Sequence, residues 1–169
     1  MKPQDIVVLL KLHLWTQGRW KIASLASSIF LSPSETHGAI KRLERSSLFD
    51  AVLERPKKSE MEEFLIYGLR YCFPATLGTS TRGIPTAHSA EPMKSKIISS
   101  ENDVYVWPDA DGEMRGLSIE PIYKTAPKAA QIDQQLYEYL ILIDCLRIGK
   151  KREISIAKEE LVKKIRGHV

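Results

Sequence analysis

The side chains with most to offer chemically lie close together in the first third of the chain: Ser32, Ser34, His37, Lys41, Arg42 and Arg45, with Arg55 and Lys57 just beyond. Hydroxyl, imidazole, ammonium and guanidinium groups are the donors that hydrogen-bond base edges and phosphate oxygens of nucleic acid. Their spacing matters as much as their type. Drawn on a helix, Thr36, Ile40, Leu43 and Ser47 share one face with Ala39 beside them, and His37, Lys41, Arg42 and Arg45 fall outside it. A helix that buries one face and offers Ser, His, Lys and Arg on the other can lie in a DNA major groove. Ser34, His37, Gly38 and Lys41, toward the start and middle of the outer face, are expected to reach bases. Ser32, Arg42, Arg45, Arg55 and Lys57 are expected to meet phosphates.

Such a helix must be started, stopped and backed by others. Ser32 and Glu35 have the spacing of a capping box, with Pro33 at the first helical position, where its missing N–H costs nothing. Residues 3 to about 15 predict a preceding helix, with Pro3 and Asp5 in its first turn and Ile6, Leu9, Leu10, His13 and Leu14 at helical spacing. His13, on that apolar side, reads as a packed core residue. Gln17-Gly18 stops the helix, Trp20 follows as an apolar anchor, and residues 22–29 predict a short second helix with Leu25, Ala26 and Ile29 inward.

The text LASSIFLSPSETHGAIKRLERSSLF, residues 25–49, resembles the winged helix–turn–helix domains of MarR-type regulators. The matching features are Leu25-Ala26, Leu31-Ser32, Arg42-Leu43-Glu44 and Leu48-Phe49. The resemblance covers about residues 3–50 and implies a trihelical DNA-binding unit followed by a two-stranded wing. Two departures stand out. Ser46-Ser47 occupies the place where such domains put the glycine that ends the helix. Residues 50–58 are also too short for a full wing hairpin.

The remainder reads as follows. Ser59 and Glu62 suggest a capping box opening a helix to about residue 71, with Met61, Phe64, Leu65, Gly68 and Leu69 inward. Residues 74–95 are rich in Pro, Gly, Ser and Thr, which predicts a linker or irregular wrap, and residues 75–100 are expected to be the backbone most labile to proteases. Residues 103–107 and 113–119 predict two strands around the turn 109–112, a hairpin. Residues 131–148 predict a helix apolar on most sides, with enough apolar surface at 136–146 for a second copy to dock, and residues 154–166 predict a last helix. Asp144 and Arg147 suggest a buried ion pair or, less simply, an anion site. Tyr67, Tyr71, Phe73 and Trp107 suggest core or the lining of a pocket.

The 169 residues carry a net charge of +4, all of it in residues 1–49. That asymmetry favours a nucleic-acid partner for the N-terminal part. Cys72 and Cys145, each among apolar residues, suggest buried reduced thiols. The apolar run at 6–10 is too short for a membrane span or a leader, so a cytoplasmic location is expected. No nucleotide loop, nucleophile elbow or zinc spacing is found, so no enzyme, catalytic residue, metal or cofactor is expected.

The expected fold is mainly α (α+β). An N-terminal winged helix–turn–helix spans 1–73, an irregular linker 74–100, and a hairpin with C-terminal helices 101–169. The expected function is sequence-specific, DNA-binding transcriptional regulation by a homodimer on double-stranded DNA, an autoregulatory antitoxin-like repressor being one version. The alternative is a protein-interaction adaptor that docks a partner through its aromatic-rich C-terminal region.

Overall fold

Residues 6–10 are fully buried in the computed structural model, which describes residues 1–98 and 103–167. They belong to α1 (Pro3–His13), a helix buried on several sides. Around it pack α2 (Ile22–Ser28) and α3 (Pro33–Arg45). Both bonds of the Ser32–Glu35 capping box form, and Thr36, Ala39, Ile40 and Leu43 are the buried residues of α3. The helix ends on a left-handed residue that is serine and not glycine. Ser47 takes φ +60°, and the Leu48 N–H reaches back to the Leu43 carbonyl at 2.9 Å. This is the left-handed stop that satisfies the last carbonyls of a helix.

β1 (Phe49–Asp50) and β2 (Arg55–Pro56) then form an antiparallel pair two residues long. The next helix is continuous but irregular: α4 (Lys58–Glu63), a π-type turn (Phe64–Gly68) and α5 (Leu69–Cys72). The extra residue of the wide turn brings Ile66 into the core beside Met61, Leu65 and Leu69. Ser59 does not cap it; the helix starts one residue earlier, and Lys57 at the cap position makes no side-chain bond.

The expected linker contains a strand. β3 (Leu77–Pro85) pairs antiparallel with both β4 (Tyr105–Pro108) and β5 (Met114–Ile119). The expected hairpin is corrected as well, because β4 and β5 run parallel to each other and close the three strands into a small barrel. The connection 109–113 carries the chain across to the other edge of β3 instead of turning it back. The glycines that suggest a loop are needed for close strand approach. A Cβ on Gly83 would sit 2.0 Å from the Trp107 carbonyl oxygen, and one on Gly116 2.4 Å from that of Val104. After β3 the chain stays inside: Thr86, Ala87, His88, Ser89, Ala90 and Met93 are buried. The last residues of the expected linker, 99 and 100, lie outside the described residues.

Three helices follow, α6 (Ala126–Ile132), α7 (Gln134–Ile148) and α8 (Lys151–Gly167). Asp133 separates the first two, capping α7 through the Leu136 N–H at 3.0 Å and pairing with Lys11 of α1. Residues 139–147 are all buried, against α1, α5, α6 and α8. The apolar surplus of α7 is therefore spent inside the chain, and the expected docking of a second copy on this helix is not available. One hydrophobic cluster runs from Ile6 to Ile165, so no separate cores mark the expected division at residues 73 and 100. The chain is mixed α/β and mainly helical. No helix among the described residues is long and apolar enough to cross a membrane.

Candidate nucleic-acid interface

The outer face of α3 is the part of the surface where the expected donors converge. Ser34, His37, Lys41 and Arg45 are exposed, and Gly38 is half-buried among them. Lys41 pairs with Glu44 at 3.0 Å, an exposed contact of the kind that a phosphate can displace. Arg45 has no ion pair among the described residues and points to solvent. Ser32 is occupied by its helix: its hydroxyl donates to Glu35 at 2.8 Å and accepts from the Glu35 N–H at 3.2 Å. Those side-chain and backbone bonds to Ser32 lower the pKa of the Glu35 carboxyl.

Arg42 has a different place from the rest. Its Nε and Nη2 donate to the two carboxylate oxygens of Asp5 at 2.9 and 2.7 Å, and Asp5 is 0% exposed. The same carboxylate accepts the Lys2 N–H at 2.7 Å. A bidentate guanidinium on a buried carboxylate fixes the angle between α1 and α3. Arg42 is thus held on the α1 side of the helix, turned from the phosphate position expected for it. Gly38 belongs to the same arrangement, since a Cβ there would lie 3.2 Å from Nη1 of Arg42. Asp5 suggests from sequence only a complement to the dipole of its own helix; its partner is 37 residues away.

At the β1–β2 pair, Arg55 is exposed and Lys57 half-buried. The turn between the strands is held from outside. Arg19 grips the Glu54 carboxylate with two bonds of 2.7 Å, and the Trp20 indole N–H donates to the Glu54 carbonyl at 2.8 Å. Asp50 accepts the Val52 and Leu53 N–H groups at 2.9 Å; these bonds, the one from Leu53 foremost, together with the charges of Lys57 and Arg55 lower its carboxyl pKa. The tip carries Val52 and Leu53, both exposed.

Sequence reasoning passes over one neighbour of α3. The stretch just before and within α6 packs at the turn between α2 and α3, with the Lys128 ammonium 4.3 Å from the centre of the Phe30 ring. Lys124 and the Tyr123 hydroxyl both act on the Glu35 carboxylate. More than eighty residues separate these groups in sequence, and no local pattern announces the contact.

No family model, curated protein or solved structure matches the chain.

The other candidate clusters resolve as structural. Asp144, 1% exposed, accepts from Thr86 at 2.8 Å and from Trp107 and Arg147 at 2.7 Å. Arg147 also donates to the carbonyls of Phe73 and Glu120. Burial raises the Asp144 pKa against the opposing pull of Arg147, Thr86 and Trp107. The pair ties α7 to β4 through Trp107 and to the chain at Phe73, Thr86 and Glu120. Tyr67 and Tyr71 face solvent while Trp107 is buried, so the aromatic set lines no common pocket. His13 packs edge-on against Tyr139, its Nε2 3.1 Å from the hydroxyl. Cys145 is buried as expected, but Cys72 is exposed.

Proposed function

We propose that this protein is a sequence-specific DNA-binding transcriptional regulator that reads the major groove with α3. The observation that carries the reading is the division of that helix. One side is locked into the core through Thr36, Ala39, Ile40, Leu43 and the Arg42–Asp5 pair, and the other presents Ser34, His37, Lys41 and Arg45 to solvent. A rigid backing with short and basic side chains outward is what groove entry needs. Ser34, His37 and Lys41 are the base readers in this reading. Arg45, with Arg55 and Lys57, takes phosphates. Two-fold binding to paired half-sites would use a face other than α7. Autoregulation of a toxin–antitoxin type is one version of this function.

The test is fluorescence anisotropy on a selected duplex and on a scrambled one, over a salt series. Arg45→Ala should weaken binding to both and reduce the log–log salt slope by about 0.9. His37→Ala and Lys41→Ala should each lose about 1–3 kcal/mol on the selected duplex and relax preference at one position. Wild-type protein that binds neither duplex better than micromolar at low salt sinks the reading.

The alternative, a protein-interaction adaptor, draws on apolar surface that DNA contact does not use. Val52 and Leu53 at the turn tip and Tyr67 and Tyr71 on the α4–α5 helix are exposed. A stable heteromeric complex together with weak, salt-insensitive DNA binding would favour it.

A further inference from the structure

We infer that Lys124 and Lys128 form a second, backbone-gripping arm of the DNA interface, taking phosphates beside the start of α3. The inference rests on the DNA-binding reading and extends it to residues outside the helix–turn–helix.

Phe30 occupies the turn between α2 and α3 with φ +55°. That is a conformation suited to glycine, and a bulky aromatic is strained in it. The conformation ends α2 as Ser47 ends α3, with the Leu31 N–H reaching back to the Ala26 carbonyl at 3.0 Å, and it leaves the ring 36% exposed. What the ring does is support Lys128, whose ammonium stands 4.3 Å above it. A cation over a ring face is held there by the ring quadrupole, and the ammonium hydrogens not aimed at the ring remain free to donate.

Lys124 lies four residues before Lys128, in the turn that leads into α6, and completes the arm. Its charge adds to the bonds from Ser32 in lowering the pKa of the Glu35 carboxyl, the third residue of α3. Both lysines are exposed, and neither forms an ion pair among the described residues. Both line an open cavity of about 680 Å³ whose other walls include Gly78, Asp109, Ser118 and Glu120. Two exposed cations, Lys128 over the Phe30 ring and Lys124 four residues before it, therefore lie beside the entry end of a groove-reading helix. There, the strand bordering the groove would present its phosphates. Phosphate contacts fix register without reading sequence, which defines what the arm should and should not do.

The experiment uses the full chain, a fluorescein-labelled duplex selected from a random pool and a scrambled duplex of equal length. Lys124→Ala and Lys128→Ala should each reduce the log–log salt slope by about 0.9, and the double variant by about 1.8, equally on both duplexes. Between about 50 and about 200 mM salt, each substitution should shrink the fall in affinity by roughly 3.5-fold. Lys128→Arg should keep the wild-type slope. Phe30→Gly eases the strained turn, so it should lower affinity while leaving the melting temperature unchanged or higher. If the wild type binds DNA and both alanine variants keep its slope, the arm is overturned while the reading of α3 stands. If the wild type binds neither duplex, the DNA-binding reading fails, and the arm with it.

Discussion

Ser47 shows how a single residue can depart from a pattern without changing the geometry that the pattern serves. The end of α3 needs a left-handed residue so that the Ser47 and Leu48 N–H groups can reach the Glu44 and Leu43 carbonyls, at 3.0 and 2.9 Å. Serine supplies that conformation at φ +60° with a steric penalty that glycine lacks. Ser47→Gly should therefore stabilise the protein by about 1 kcal/mol, which for a chain of this size raises the melting temperature by about 2–4 °C. Calorimetry checks it, and a lowered melting temperature would mean that the hydroxyl makes a stabilising contact of its own. Arg42 teaches the converse. Its type and its place on the helix suggest a phosphate contact, but a buried carboxylate on another helix claims it. Residue type states what a side chain can bind; only its neighbours decide what it does bind.

Among the elements, β3 is where composition misleads. Thr, Ser and Gly between residues 77 and 83 resemble a loop because glycine commonly marks turns. In the barrel, glycine has another use. A strand paired on both edges, to β4 and β5, is crossed so closely that side chains cannot be fitted at every position. Gly83→Ala would place a methyl group 2.0 Å from the Trp107 carbonyl oxygen. Backbone would have to move, and the substitution should destabilise by about 2–3 kcal/mol or more. A urea-unfolding midpoint equal to that of the wild type would show that the barrel is looser than described. The α4–α5 helix offers a milder case. Its apolar positions are legible, but the π-type turn at Phe64–Gly68 shifts the inward face by a residue and adds Ile66 to it.

For the whole molecule, the decisive feature is one core shared from α1 to α8. The N-terminal helices are not a detachable head: Lys11 pairs with Asp133, His13 meets Tyr139, and Glu62 of α4 holds Arg166 with bonds of 3.0 and 2.7 Å. Burial of residues 86–90 beneath α7 also removes the expected protease-labile linker from that stretch. A single cooperative transition is expected in urea, with tryptophan fluorescence, near-ultraviolet and far-ultraviolet circular dichroism giving coincident curves. Separate transitions for helix content and for the Trp107 environment would contradict a shared core.

What the sequence determined by itself was local. Hydrophobic periodicity and end signals located α1, α2, α3 and α8, and the Ser32–Glu35 box formed as its spacing requires, because these features are fixed by residues within a turn or two of each other. The exposed side of α3 was legible for the same reason. Tertiary structure decided whatever depends on partners distant in the chain. It gave Arg42 to Asp5, set Lys128 over Phe30, paired β3 with both later strands and enclosed α7 within one chain. A guanidinium, an ammonium, a strand edge and an apolar face can each be satisfied by many partners, and local sequence cannot choose among them. The choice falls to the packing that buries the most apolar surface while leaving the fewest polar groups unpaired.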